Sequence, residues 1–214
     1  MHFLKSYLVW FVVFSVTILS SVTTSANAND GLSSPFFDGT GDGKWAATIF
    51  AGQLTENELS EIIIPRGITF TDTSFVGGAL SREIYRWNGF SVEAEAGVGV
   101  QFGGGSGQNA GHFWGALYGR YNDFPWNDYV KTSVAISVGL NYMTAETDFE
   151  NSETSDGNTE KLLHYLSPEV TFALPENENQ EFVVRLHHRS SADGFFGCQG
   201  CGSNIVLFGF RHRF

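Results

Sequence analysis

The chain of 214 residues has only two cysteines, and both fall in one Cys-x-x-Cys, Cys198 and Cys201. With no second such pair, a four-cysteine zinc site is excluded. With no βαβ pattern around it, a thioredoxin-type centre is excluded as well. In an exported chain the pair then reads as a tight loop disulfide or as two thiols. Basic residues are scarce: 12 Lys and Arg stand against 23 Asp and Glu, a formal charge of −11. An acidic chain without a basic stripe is not expected to bind nucleic acid. "GVGVQFGGGSG" has neither a Gly-Lys-Ser ending nor a following helix pattern, so it is not a phosphate loop. The acidic "ETDFENSETSDGNTE" lacks the spacing of an EF-hand calcium loop and reads as a solvated loop. No metal and no cofactor are expected.

Long apolar runs are also missing past the N-terminus, where no segment approaches the roughly 18 uncharged apolar residues of a spanning helix. At the N-terminus itself, Lys5 precedes an apolar run from Tyr7 to Leu19 and then Ala26-Asn27-Ala28. That is the layout of a secretory signal peptide. Residues 1–28 are expected to be cleaved, leaving an exported domain over 29–214. Losing Lys5 moves the formal charge from −11 to −12.

What is abundant is aromatic side chains, 15% of the chain, and glycine, 25 residues beside five prolines. This composition suits many strands and tight turns. "FSVEAEAGVGVQF", Phe90 to Phe102, alternates strictly: Phe90, Val92, Ala94, Ala96, Val98, Val100 and Phe102 on one face. Ser91, Glu93, Glu95, Gly97, Gly99 and Gln101 form the other. Alternation this long is a strand signal, and it exceeds the roughly 9–11 residues needed to cross a bilayer. Seven further candidates follow the scheme, near Trp45–Thr55, Phe75–Trp87, His112–Tyr121, Val130–Thr144, Lys161–Leu174, Phe182–Ser190 and Asn204–Phe214. Their connections alternate long and short: the segment around Glu56–Ser74, "GGGSGQNAG", "ETDFENSETSDGNTE" and "SADGFFGCQGCGS" against "NG", "NDFPWNDY" and "PENENQ". The expected fold is all-β, an eight-stranded antiparallel transmembrane β-barrel of the outer membrane. A soluble lipocalin-like barrel, apolar inside and polar outside, is the structural alternative. Strand length, loop asymmetry and a charged face carrying Glu93, Glu95, Arg82, Arg86 and Arg185 favour the membrane form. Those charges would pair within the lumen.

On Phe182–Ser190, the outward row would be Phe182, Val184, Leu186, His188 and Ser190, with Val183, Arg185, His187 and Arg189 inward. Asn204 opens the outward row of the last strand and is expected close to Ser190 across the pair. His188 and Ser190 are neighbours on one face, and imidazole beside hydroxyl suits a general base and a nucleophile. At the outer leaflet the substrate would be a lipid.

His188-Arg189-Ser190 within "HHRSS", followed by a loop, "GSN" and an aromatic terminal strand, resembles the lipid A 3-O-deacylase (acyloxyacyl hydrolase-like) family of outer-membrane barrels. The family's architecture fits the whole mature chain, and the residue-level match spans Arg185–Phe214. The resemblance implies hydrolysis of the ester-linked acyl chain at the 3-position of lipid A. It also implies His188 as base, Ser190 as nucleophile, and lipid A or lipopolysaccharide of the outer leaflet as partner. Two positions depart from the family pattern. Ser191 stands where the family has an asparagine read as an oxyanion contributor, and Asn204 stands about where an acid orients the histidine. An amide can orient an imidazole but cannot stabilise imidazolium as a carboxylate does. Asp193 is a weaker substitute acid. The alternative is a non-catalytic barrel that binds lipopolysaccharide or serves a structural role.

Overall fold

The computed structural model describes residues 45–63, 67–154 and 159–214, all within one compact unit, Asp42–Phe214. The expected signal segment, 1–28, lies outside the described residues. The strands are β1 (Trp45–Thr55), β2 (Phe70–Trp87), β3 (Phe90–Gly103), β4 (Ala110–Tyr121), β5 (Lys131–Met143), β6 (Leu162–Leu166), β7 (Glu169–Leu174), β8 (Asn177–Ser190) and β9 (Gly202–Arg213). Apart from β6 and β7, which do not pair with each other, consecutive strands pair antiparallel, and β9 pairs with β1 to close the ring. β6 and β7 share one position between β5 and β8, so the ring has eight staves. The expected eight-stranded transmembrane barrel is the fold observed.

The pleat sorts side chains by polarity as the alternation requires. On β3, Val98, Val100 and Phe102 are exposed, whereas Ser91, Glu93, Glu95 and Gln101 are buried. A belt of outward apolar side chains of this kind would be untenable in water and is the lipid face of an outer-membrane barrel. Trp45, Trp87, Phe90, Tyr129 and Phe214, all exposed, ring the end with the short turns. The soluble, apolar-inside alternative is thereby excluded.

The lumen is filled. Four guanidinium groups, of Arg120, Arg185, Arg211 and Arg213, meet four carboxylates, of Glu93, Glu95, Glu169 and Glu181. Glu169 alone touches Arg120 at 2.6 Å, Arg185 at 2.5 Å and Arg211 at 2.8 Å. The Arg185 guanidinium is also sandwiched between the rings of Phe50 and Tyr118, at 4.4 and 4.9 Å. Equal numbers of opposite charges make the layer neutral, which offsets the cost of burying them. Above it lie Phe75, Trp114, Tyr165, His112 and His187, with Trp114 donating to Glu95 at 2.9 Å. Gly97 and Gly99 make room for these rings. A Cβ at Gly97 would lie 2.1 Å from Trp114, and one at Gly99 2.2 Å from Phe75.

Three details differ from the pattern-based expectation. Arg82 is not in the lumen: its guanidinium stacks over the ring of Trp45, a 43% exposed side chain, 5.4 Å from the centroid. It lies opposite outward-facing Ala94, between inward Ser81 and Glu83, and the register shift between Glu83 and Tyr85 puts Arg86, opposite buried Ser91, on the other face. The single strand expected over Lys161–Leu174 is interrupted at Ser167-Pro168, where proline has no N–H for the ladder. "PENENQ" is not a six-residue turn. β8 starts at Asn177, and its polar first residues pair with β7 and β9 beyond the apolar belt.

Candidate active site

The long connections, which follow β1, β3, β5 and β8, leave and re-enter the barrel at one end. At that end β8 and β9 run side by side with His188 opposite Asn204, Arg189 opposite Ser203 and Ser190 opposite Gly202. Alternation sends the first and third pairs outward and the middle pair into the mouth.

Outward, the His188 Nδ1 lies 2.7 Å from Asn204 Oδ1. The Asn204 amide nitrogen donates to the carbonyl of Asn57 at 2.9 Å. That second bond decides which end of the amide faces the ring. With the NH2 committed to Asn57, the Oδ1 must accept, so Nδ1 of His188 carries the proton. The neutral imidazole therefore leaves the lone pair on Nε2, the tautomer a general base needs. Asn57 is itself held: its N–H donates to Thr55 Oγ1 at 3.1 Å, and its Oδ1 accepts from the Thr69 N–H at 2.7 Å. The first loop is thus folded against the outer wall, and Asn204 is only 9% exposed.

Inward, Arg189 donates to Glu150 at 3.0 Å and to the carbonyls of Glu160 and Lys161 at 2.8 and 3.1 Å. Ser203 donates to the same carboxylate at 2.6 Å. Glu150 belongs to a short helix, α1, here Asp148–Glu153, capped by Thr147, whose hydroxyl accepts from the Glu150 N–H. One buried carboxylate from the 144–161 loop therefore clamps both strands from inside, at the residues that alternate with the outward-facing ones.

The expected site residues are placed as follows. His188, Asn204 and Ser190 share the outward face, but Asn204 meets His188 rather than Ser190, because the register sets Gly202 opposite the serine. Among the described residues no hydrogen bond joins Ser190 to His188. Ser191 is buried, and its N–H donates to the Cys201 carbonyl at 3.0 Å. Asp193 is an exposed loop residue with φ of 63°, and the residue that meets the imidazole is Asn204. His187 points into the lumen, with Nε2 3.0 Å from the Asn141 amide nitrogen. Cys198 and Cys201 form a disulfide in the last loop. Among the described residues no group of three or more His, Cys, Asp or Glu side chains is arranged to hold a metal ion.

Three residues escaped the sequence reading. Asn57 and Glu150 lie in loops whose composition gives no sign of what they touch. His164 was legible in principle, because it interrupts the outward apolar row Leu162, His164, Leu166. It sits directly opposite Ser190 on the other flank of β8.

No protein-family model matches the chain, and no curated protein matches it. Among solved structures, the outer membrane enzyme PagL superposes with a TM-score of 0.53 at 11% identity, covering 78% of this chain and 98% of that one. Neisserial surface protein A gives 0.49 at 10% identity, over 80% and 97%. The Ail protein of Yersinia pestis, in a phospholipid bilayer nanodisc, gives 0.44 at 13%, over 80% and 99%. At such identities the likeness is one of fold: this chain is an outer-membrane β-barrel.

Proposed function

We propose that the chain is an outer-membrane esterase that removes an ester-linked acyl chain from lipid A, at the 3-position, with Ser190 as nucleophile and His188 as base. The observation that carries this reading is the His188–Asn204 bond on the lipid-facing wall beside Ser190. A tautomer-locked imidazole is an odd investment for a merely structural strand end. In the first half of the reaction, Ser190 Oγ attacks the ester carbonyl carbon while its proton passes to His188 Nε2. The tetrahedral intermediate then expels the sugar alkoxide, which takes that proton and leaves the acyl chain on Ser190. Water, deprotonated by the same Nε2, hydrolyses the acyl-enzyme and releases the fatty acid. Asn204 holds the ring throughout. Glu150, through Arg189, holds the strand that carries both reacting side chains.

The competing reading is a non-catalytic barrel that binds lipopolysaccharide or serves a structural role. The amide at 204, in place of a carboxylate, is what favours it. Mass spectrometry of lipid A from a Gram-negative host expressing the wild-type chain, Ser190→Ala or His188→Ala separates the two. The expected result is loss of one ester-linked acyl chain with wild type only, each variant falling by a thousandfold or more, on the order seen when a serine–histidine pair is broken. Unchanged lipid A, with the wild-type barrel folded in the outer membrane, would leave the binding or structural role.

A further inference from the structure

Ser190 has two cross-strand neighbours, and they are unequal. On the β9 side stands Gly202, with φ of 150°, where a Cβ would lie 2.3 Å from the Arg189 carbonyl oxygen. No side chain fits there. On the β6 side stands His164. Directly opposed residues on one sheet face have Cβ atoms about 4.5–5.5 Å apart. Residues two apart along a strand, such as His188 and Ser190, are separated by about 6.6 Å. Of the two imidazoles flanking the serine, His164 is therefore on the nearer track.

Its Nε2 is shielded from solvent and has no hydrogen-bond partner among the described residues. The ring of Phe196, 6.4 Å away, covers that imidazole from the last loop, whose path is pinned by the Phe196 N–H donating to the Ser191 carbonyl at 3.1 Å. An unsatisfied, sheltered nitrogen is costly in a folded protein, and a partner supplied by a bound molecule would offset that cost. The reaction proposed above generates such a partner. When Ser190 adds to the ester, the carbonyl oxygen becomes an oxyanion that needs a preplaced donor. The residue following the nucleophile does not supply its backbone, because the Ser191 N–H is already bonded to Cys201.

We propose that His164 is a second catalytic histidine, whose Nε2–H donates to the oxyanion formed on the ester carbonyl. It keeps its proton throughout. The proton in transit remains the one passed from Ser190 Oγ to His188 and on to the leaving alkoxide. This assignment rests on Ser190 being the nucleophile.

The test uses the full chain refolded in detergent with purified lipid A, reading fatty-acid release for wild type, Ser190→Ala, His164→Ala and His164→Gln. Glutamine places an amide N–H near the imidazole Nε2 but cannot act as a base. His164→Ala is expected to lose about 10²–10³-fold in kcat with KM unchanged, the usual cost of one oxyanion donor, and His164→Gln to recover to within about tenfold of wild type. Heat-modifiable migration on gels checks the fold of each variant. His164→Leu, which continues the row of Leu162 and Leu166, replaces the alanine variant if that one does not fold. Wild-type kcat in the alanine or leucine variant would overturn the assignment. So would His164→Gln being as slow as His164→Ala. Wild type releasing no more acid than Ser190→Ala would instead sink the hydrolase reading, and this inference with it.

Discussion

At position 204 an amide stands where a carboxylate would complete a Ser-His-acid triad, and its two ends have different tasks. The Oδ1 holds the His188 N–H, while the Nδ2 ties the strand to Asn57. Orientation and tautomer are thus secured, but in the proposed reaction the positive charge developing on His188 would be met by a neutral acceptor. A charge-assisted hydrogen bond is roughly twice as strong as a neutral one, and each 1.4 kcal/mol in the transition state is worth about tenfold in rate. Asn204→Asp should therefore raise kcat about tenfold, whereas Asn204→Ala, which frees the ring to take either tautomer, should lower it by at least as much. Rates of fatty-acid release from lipid A by the two purified variants check this. An aspartate variant slower than the alanine variant would show that the Asn57 bond matters more than the charge. The triad-like order His188, Ser190, Asn204 was readable from the chain. The bond to Asn57 was not, since it joins residues 147 positions apart.

At the scale of elements, the proposed site is backed by a carboxylate from a loop on the inner side of the strands. α1 delivers Glu150 into the barrel mouth, where Arg189 and Ser203 close on it from adjacent strands. Both charged partners are about 1% exposed. Removing one member of such a buried pair leaves the other uncompensated, at a cost of about 3–5 kcal/mol. Glu150→Ala is expected to release the 144–161 loop to protease and to lower deacylation, while the barrel keeps its heat-modifiable migration. Glu150→Gln, which still accepts from Ser203, should fall between. Limited proteolysis alongside the activity assay reads both effects, and an alanine variant with wild-type activity would show that the clamp holds the loop but not the site. The elements themselves were largely visible beforehand. β1 begins and ends where alternation placed it, and β3 gains only Gly103. Errors fell where the outward residues leave the lipid and become polar, as at Asn177–Gln180, because alternation is a signal only while one face meets hydrocarbon.

The molecule as a whole is an inverted globule: a neutral, fully paired ionic layer inside and an apolar belt outside. Its stability in a membrane is depth-dependent. A cation near the middle of a lipid-facing row costs about 2–4 kcal/mol, against about 0–1 at the edges. Val98→Arg should therefore destabilise the folded barrel far more than Phe90→Arg at the turn end. Denaturant titration in lipid vesicles measures the difference, and equal costs would mean that the belt is placed elsewhere along the strands. The sequence by itself determined the number of staves, which face meets lipid, which end carries the long loops, and the neighbouring positions of His188 and Ser190. All of these follow from local period-two patterning and from the spacing between patterns. Only the tertiary structure decided the register of β8 on its two neighbours, and with it that Asn204 meets His188, that Gly202 leaves one flank of Ser190 bare, and that His164 occupies the other. It also decided that one loop carboxylate, Glu150, clamps the strands behind them. A one-residue change in register would turn every side chain of a strand to the opposite face. Hydrophobic alternation therefore settles which face each residue takes, but not which residue of the next strand it meets.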